Sequence, residues 1–149
     1  MEFGNVLSHY FNTEHDIIDK YERGDKIINE DIVDFYPNKK YDLIISISTL
    51  EHVGWDEKPK KPEKISDAIK RLKNILNKNG KIVFTIPMGE NPYLENLIIN
   101  KKIKTSELYF IKKISEDTWK QVDLKKAKDI KYNFPFKKVN GIIMAAIKK

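Results

Sequence analysis

Cysteine is absent from this 149-residue chain. No disulfide, thiolate nucleophile or cysteine-ligated zinc site can be built from it. That composition is compatible with a reducing cytoplasm, where the chain is expected to reside. Long hydrophobic runs are also missing. None approaches the roughly 18 apolar residues of a membrane span, so no transmembrane helix is expected. Met1-Glu2-Phe3-Gly4 lacks the basic and apolar regions of a signal peptide. Histidine is sparse, and His9, His15 and His52 are too dispersed to suggest a metal site. No Gly-x-Gly-x-x-Gly, Gly-Lys-Ser/Thr or Gly-x-Ser-x-Gly sequence occurs. Nicotinamide, triphosphatase and serine-hydrolase readings therefore lose their usual anchors.

Arginine is nearly absent too. Arg23 and Arg71 are the only two, so the net charge of +6 is carried by lysine. The lysines are spread along the chain among acids, as on a solvated surface, and form no basic block of nucleic-acid-binding length. Lysine and glutamate enrichment suits a thermophile. Hydrophobic residues at 40% and charged residues at 34% describe a globular chain of one-domain size.

What is present alternates between strand and helix signals. His15 to Asp19 reads as a short strand, and Tyr41 to Ile47 as a buried one. Ile65, Ala68, Ile69, Leu72, Ile75 and Leu76 form one helical stripe. Pro62 stands near its start, and Asn79-Gly80 is expected to supply a left-handed stop. Lys81 to Ile86 is the next strand, ended by Pro87. Asn91-Pro92 caps a short helix through Ile98. Leu108 to Ile114 reads as a strand, Ser115 as the cap of a short helix containing Trp119, and Ile142 to Ile147 as the last strand. This order predicts an α/β fold: an open, mostly parallel twisted sheet with helices on both faces. The final two strands are expected to pair antiparallel at an edge.

The stretch Tyr41-Asp42-Leu43-Ile44-Ile45-Ser46-Ile47-Ser48-Thr49-Leu50-Glu51-His52-Val53-Gly54-Trp55-Asp56-Glu57 joins a buried strand to small hydroxyls, acids and aromatics. In open α/β sheets, ligands bind beyond the carboxyl ends of the strands. Small residues there let a ligand approach the backbone, and the following acids and aromatics can line a pocket.

Several segments together resemble the class I S-adenosylmethionine-dependent methyltransferases. Glu2-Phe3-Gly4-Asn5-Val6-Leu7-Ser8 looks like the first motif, and Asp19 like the acid ending the second strand. Asp31-Ile32 looks like the acidic pair after the third strand. Tyr41 to Ile44 with Leu50 to Val53 matches the fourth-strand motif. Leu72 to Val83 matches the helix, glycine turn and fifth strand. The resemblance covers nearly the whole chain, with residues 41 to 87 its most specific part. It implies a Rossmann-like fold and S-adenosylmethionine as cofactor. Glu2, Gly4 and Asn5 would approach the methionine part, and Asp19 would accept the ribose hydroxyls. Asp31 and the Ile32 amide would meet the adenine, and Ile47 and Ser48 would lie under the cofactor.

Against the family pattern, the chain is expected to form a single domain, 1–149, without the usual N-terminal helix and with most of the first strand missing. The connection from Asn5 to His15 leaves room only for a very short first helix. Asn5, Val6 and Ser8 stand where the family often has glycine.

The resemblance implies methyl transfer, for which a base helps when the acceptor must lose a proton. His52 is the first candidate, because an imidazole titrates near neutrality. Asp56, Glu57 and Glu90 are others, and Trp55, Tyr10 and Tyr93 are candidate pocket walls. Ser46-Ile47-Ser48-Thr49 is unlike the Asn/Asp-Pro-Pro-aromatic motif of base amino methylation, and cysteine-dependent cytosine methylation is excluded. A small-molecule or biosynthetic acceptor is therefore favoured, with nucleic acid as a lesser alternative through the positive charge and no membrane partner. The competing reading is a catalytically silent methyltransferase-like binding or scaffold subunit.

Overall fold

The structure is a computed structural model that describes residues 1–10 and 14–149. Eight strands make one sheet: β1 (Glu2–Phe3), β2 (Ile17–Ile18), β3 (Ile27–Ile28), β4 (Tyr41–Ile47), β5 (Leu76–Pro87), β6 (Glu107–Ser115), β7 (Thr118–Val122) and β8 (Gly141–Lys148). Their order across the sheet is β3-β2-β1-β4-β5-β8-β6-β7. The five strands from β3 to β5 run parallel. From β5 onward each neighbouring pair is antiparallel. The expected mostly parallel sheet with an antiparallel C-terminal edge is thus what forms.

Two helices longer than one turn accompany the sheet: α1 (Lys64–Asn74) and α2 (Pro92–Ile99). The single turn α3 (Leu124–Ala127) follows β7. Ile65, Ala68, Ile69 and Leu72 are the buried side of α1. They meet a core that includes Ile44, Ile82, Phe84 and Ile86, all nearly inaccessible to solvent. Burying a side chain of this kind stabilises by about 1.5–3 kcal/mol. Asn91 caps α2 as expected, its side chain accepting from the Leu94 N–H at 3.0 Å with Pro92 in the first turn. The short first helix is a 3-10 turn, Leu7–His9; residues 11–13 of that connection lie outside the described residues.

Three expectations are corrected. Trp119 lies on β7, not on a helix; Ser115 pairs with Thr118 across a tight turn. The strand over Ile142 to Ile147 is not at an edge, because β8 inserts between β5 and β6 and leaves β7 as the edge. Asn79-Gly80 is not a left-handed stop. α1 ends at Asn74, and β5 already begins at Leu76 and runs through Gly80. The glycine is needed for close approach instead: a Cβ there would sit 2.8 Å from the Tyr41 carbonyl, beside the irregular register between Tyr41 and Leu43.

Candidate functional site

Loops from the carboxyl ends of β1, β2, β3 and β4 converge on one side of the sheet. Between them lies a cavity of about 340 Å³. Asp19, Asp31, Ile32 and His52, four of the residues singled out from sequence, line it together with Phe3 and Thr49. Segments far apart in the chain are brought together because their strands are neighbours in the parallel half of the sheet.

Glu2 is buried and does not line the cavity. One carboxylate oxygen accepts from the Val6 and Leu7 N–H groups at 2.6 and 2.7 Å. The other lies 2.8 Å from His15 Nε2. Glu2 therefore shapes the loop after β1 from beneath. Gly4 sits in that loop at φ +85°, and a Cβ would fall 2.1 Å from Thr49 Oγ1. Only glycine permits both the backbone angle and this contact between the loops after β1 and β4. Asn5 Nδ2 donates to Glu22. Ile47 ends β4, and Ser48 follows at φ 47°, its N–H donating to the Thr85 carbonyl. Gly4, Asn5, Ile47 and Ser48 are near the strand ends but outside this cavity's lining.

Asp19 Oδ1 accepts from the Tyr21 and Glu22 N–H groups, both at 2.8 Å. Oδ2 has no hydrogen bond among the described residues. The Ile32 N–H is likewise without a protein acceptor among the described residues. An unused carboxylate oxygen and an unused amide thus accompany the one cavity at adjacent strand ends.

Asp31 is more committed. Its Oδ2 meets Lys20 Nζ at 2.9 Å and Lys64 Nζ at 2.6 Å, and Oδ1 accepts from the Val33 N–H at 3.3 Å. Burial pushes its carboxyl up, but the two ammoniums and the amide outweigh that and hold it below the ordinary carboxylate value. The same lysines also reach Glu57. Lys64, then burial in opposition, then Lys20 set the Glu57 carboxyl, which is held low. Glu57, a candidate base from sequence, is thereby an ion-pair partner. This four-residue network escaped the sequence because its members come from four separate segments. The only local signal was Lys20 beside Asp19.

His52 stands in a short turn after β4, where Thr49 and His52 carbonyls accept from the His52 and Asp56 N–H groups. That turn places Asp56 Oδ2 2.7 Å from His52 Nδ1. In the tautomer that donates from Nδ1 to Asp56, Nε2 keeps a lone pair. Glu51, passed over in the sequence, is the second unexpected residue. It is 1% exposed. Neither carboxyl oxygen has a hydrogen bond among the described residues. Its Oε1 is 3.9 Å from His52 Nε2. Burial is the main reason its carboxyl is pushed up to about 7, with Glu90 and Asp56 adding to the rise and the Glu51 backbone amide and His52 opposing it. Trp55 lies outside the cavity's lining, its ring 3.8 Å from Lys60 Nζ. Tyr10 and Tyr93 are surface aromatics, 77% and 37% exposed. No group of side chains able to hold a metal ion occurs among the described residues. No helix among them is long and apolar enough to cross a membrane.

No protein-family model matches the chain. No curated protein matches it in sequence. Its fold is shared with solved structures. The N-methyltransferase NodS from Bradyrhizobium japonicum WM9, in complex with S-adenosyl-l-homocysteine, superposes with a TM-score of 0.54 at 14% identity. The match covers 89% of this chain and 65% of that one. A second structure of the same NodS gives 0.51 at 15% identity, over 89% and 71%. The chain thus spans about two thirds of the length of its structural neighbour, and the likeness is one of fold.

Proposed function

We propose that the chain acts in S-adenosylmethionine-dependent methyl transfer to a small-molecule or biosynthetic acceptor. The observation that carries this reading is the joint lining of one cavity by Asp19, Asp31 and Ile32 from adjacent strand ends and by His52 from the loop after β4. The NodS structure that shares the fold was solved with S-adenosyl-l-homocysteine, which supports the choice of cofactor.

The residues present fit that group. The cavity's 340 Å³ lies within the ~300–1,000 Å³ range of small-ligand sites. Asp19 Oδ2 is available to a ribose hydroxyl, and the Ile32 N–H to a ring nitrogen. Asp31 accepts an amino hydrogen from the adenine while Lys20 and Lys64 keep it ionised. Glu2 and Gly4 hold the loop after β1 close to β4, and Asn5 braces that loop through Glu22. Ile47 and Ser48 stand at the end of β4, just outside the cavity's lining. When bound, S-adenosylmethionine supplies a sulfonium-activated methyl group. The chain's work is to position the acceptor and to manage its proton. His52 takes that proton on Nε2, and Asp56 fixes the ring through Nδ1.

Calorimetric titration with S-adenosylmethionine and S-adenosylhomocysteine tests the reading. Saturable binding is expected, weakened about tenfold or more by Asp19→Ala, since a charge-assisted hydrogen bond contributes roughly 1.5–3 kcal/mol. Failure of the folded chain to bind either compound would reject the enzyme and favour a binding or scaffold role.

A further inference from the structure

Glu51 has no part in the cofactor site, although it is the least satisfied polar side chain among the described residues. It is 1% exposed, and both carboxyl oxygens lack hydrogen bonds among the described residues. A buried group left in this state costs free energy until a hydrogen-bonding partner is supplied. The surrounding charge explains what would satisfy it. Glu90 and Asp56 both act on Glu51 electrostatically, and His52 is the nearby basic group. Glu51 and Asp56 thus flank the His52 imidazole beside the cavity that His52 and Asp56 line, and the charge of Glu90 acts on Glu51 from further off. The missing counterpart is a cation that donates hydrogen bonds.

Geometry narrows the cation. Glu51 Oε1 and His52 Nε2 are 3.9 Å apart, too far for a direct hydrogen bond. The Glu51 carboxyl is closed off from the cavity, and once it turns toward His52 a donor nitrogen seated between them would reach both at about 2.8–3.0 Å, the ordinary hydrogen-bond length. The described residues supply no third ligand that would make a metal site of this pair. The His52 side chain is 44% exposed and lines the cavity, so a small head group can approach it there while Nδ1 stays on Asp56.

We propose that the methyl acceptor is an amine, which arrives as an ammonium and is held between Glu51 and His52 before it loses a proton. This rests on the methyltransferase reading. In the deprotonation, one ammonium N–H bond breaks and its electron pair stays on nitrogen. The proton bonds to His52 Nε2, and the imidazolium formed is flanked by Asp56 and Glu51. The freed lone pair is the nucleophile that an ammonium lacks. Glu51 thus binds the acceptor, and His52 takes its proton.

The test follows the Glu51 carboxyl carbon and the His52 ring nitrogens by NMR, with Glu51→Gln for assignment. The chain, saturated with S-adenosylhomocysteine, is titrated with methylammonium chloride, with sodium chloride and magnesium chloride in parallel. Methylammonium is expected to shift both side chains together and saturably, sodium to leave them unmoved, and Glu51→Gln to weaken the His52 response at least tenfold. No saturable shift with methylammonium would overturn the proposal. A response to magnesium in place of methylammonium would overturn it in favour of a metal. The calorimetric titration separates the two levels of inference. Cofactor binding without a methylammonium response defeats the amine assignment alone; a methylammonium response without cofactor binding defeats the methyltransferase reading and the acceptor role with it.

Discussion

The two halves of the sheet are built by different means. On one side, β1, β2 and β3 are two residues long each. On the other, the 12-residue β5 pairs with β8 continuously from Lys81 to Pro87, and β6 extends the ladder. The long half is held by backbone ladders around an apolar core. The short half depends on side chains bonded to backbone. Glu2 serves the Val6 and Leu7 N–H groups and Asp19 those of Tyr21 and Glu22, while Asn29 donates to the Asp19 and Glu22 carbonyls. The residues proposed to hold the cofactor come mostly from this half. One half supplies rigidity, and the other supplies adjustable loops at the cost of relying on ionised groups.

The strongest way to break the comparison is in the long half. Phe84→Ala removes a fully buried side chain from the middle of β5. It should cost about 3–5 kcal/mol and lower the denaturation midpoint of the whole chain. An equal loss from truncating an aromatic on the short half would abolish the distinction.

Glu51 gives the next effect, with the opposite sign. Its carboxyl is raised to about 7 from an ordinary 4.5. Below pH ~4.5 it is neutral in both folded and unfolded chains and costs nothing. As pH rises from there through 7, the folded state increasingly bears the penalty of charging it, so stability is lost across that window. Glu51→Gln should therefore stabilise the free chain by about 3 kcal/mol at pH 8 and hardly at all at pH 4, in urea denaturation at both pH values.

Glu2→Gln sharpens the contrast locally. It weakens two charge-assisted bonds to the loop and the contact with His15, a change of about 1–3 kcal/mol. Hydrogen exchange should quicken at Val6 and Leu7 while the β5 and β8 amides stay protected. Smallest is the lysine network. Lys20→Ala should cost less than about 1 kcal/mol in stability, because Lys20 is partly exposed. Asp31 and Glu57 are held below their ordinary values, so their ion pairs are complete above the usual carboxylate range and fail as pH falls through the depressed values. Side-chain carboxyl NMR below pH 4 checks this.

Much of the long half was legible in the chain itself. The α1 stripe, the apolar β4 run and the Asn91-Pro92 cap are local patterns, and local patterns survive folding. Trp119 reads as helical because Ser115 offers a good cap, whereas pairing with β6 decides the outcome, and pairing partners are not written in a short segment. Gly80 reads as a turn residue in sequence, because only the fold reveals the Tyr41 carbonyl pressed against it. In the site, Asp19, Asp31, Ile32 and His52 were visible through their positions after strands. Lys64 and Glu57 were not visible as their partners, since the distances that matter there cross segments. Glu51 was hidden by its own chemistry: an acid beside a histidine in a loop reads as solvated until its burial is seen.

The placement of β8 has a consequence for how the molecule is made. A ribosome releases the chain from its first residue onward, and domains assemble in that direction during synthesis. Here β8, which follows β6 and β7 along the chain, fills an interior slot between β5 and β6. Until Gly141–Lys148 has left the tunnel, the open edge of β5 and that of the β6–β7 hairpin have no mate, and exposed strand edges invite pairing with other chains. The partly made chain is therefore most open to aggregation after β7 has emerged and before β8 has joined the sheet.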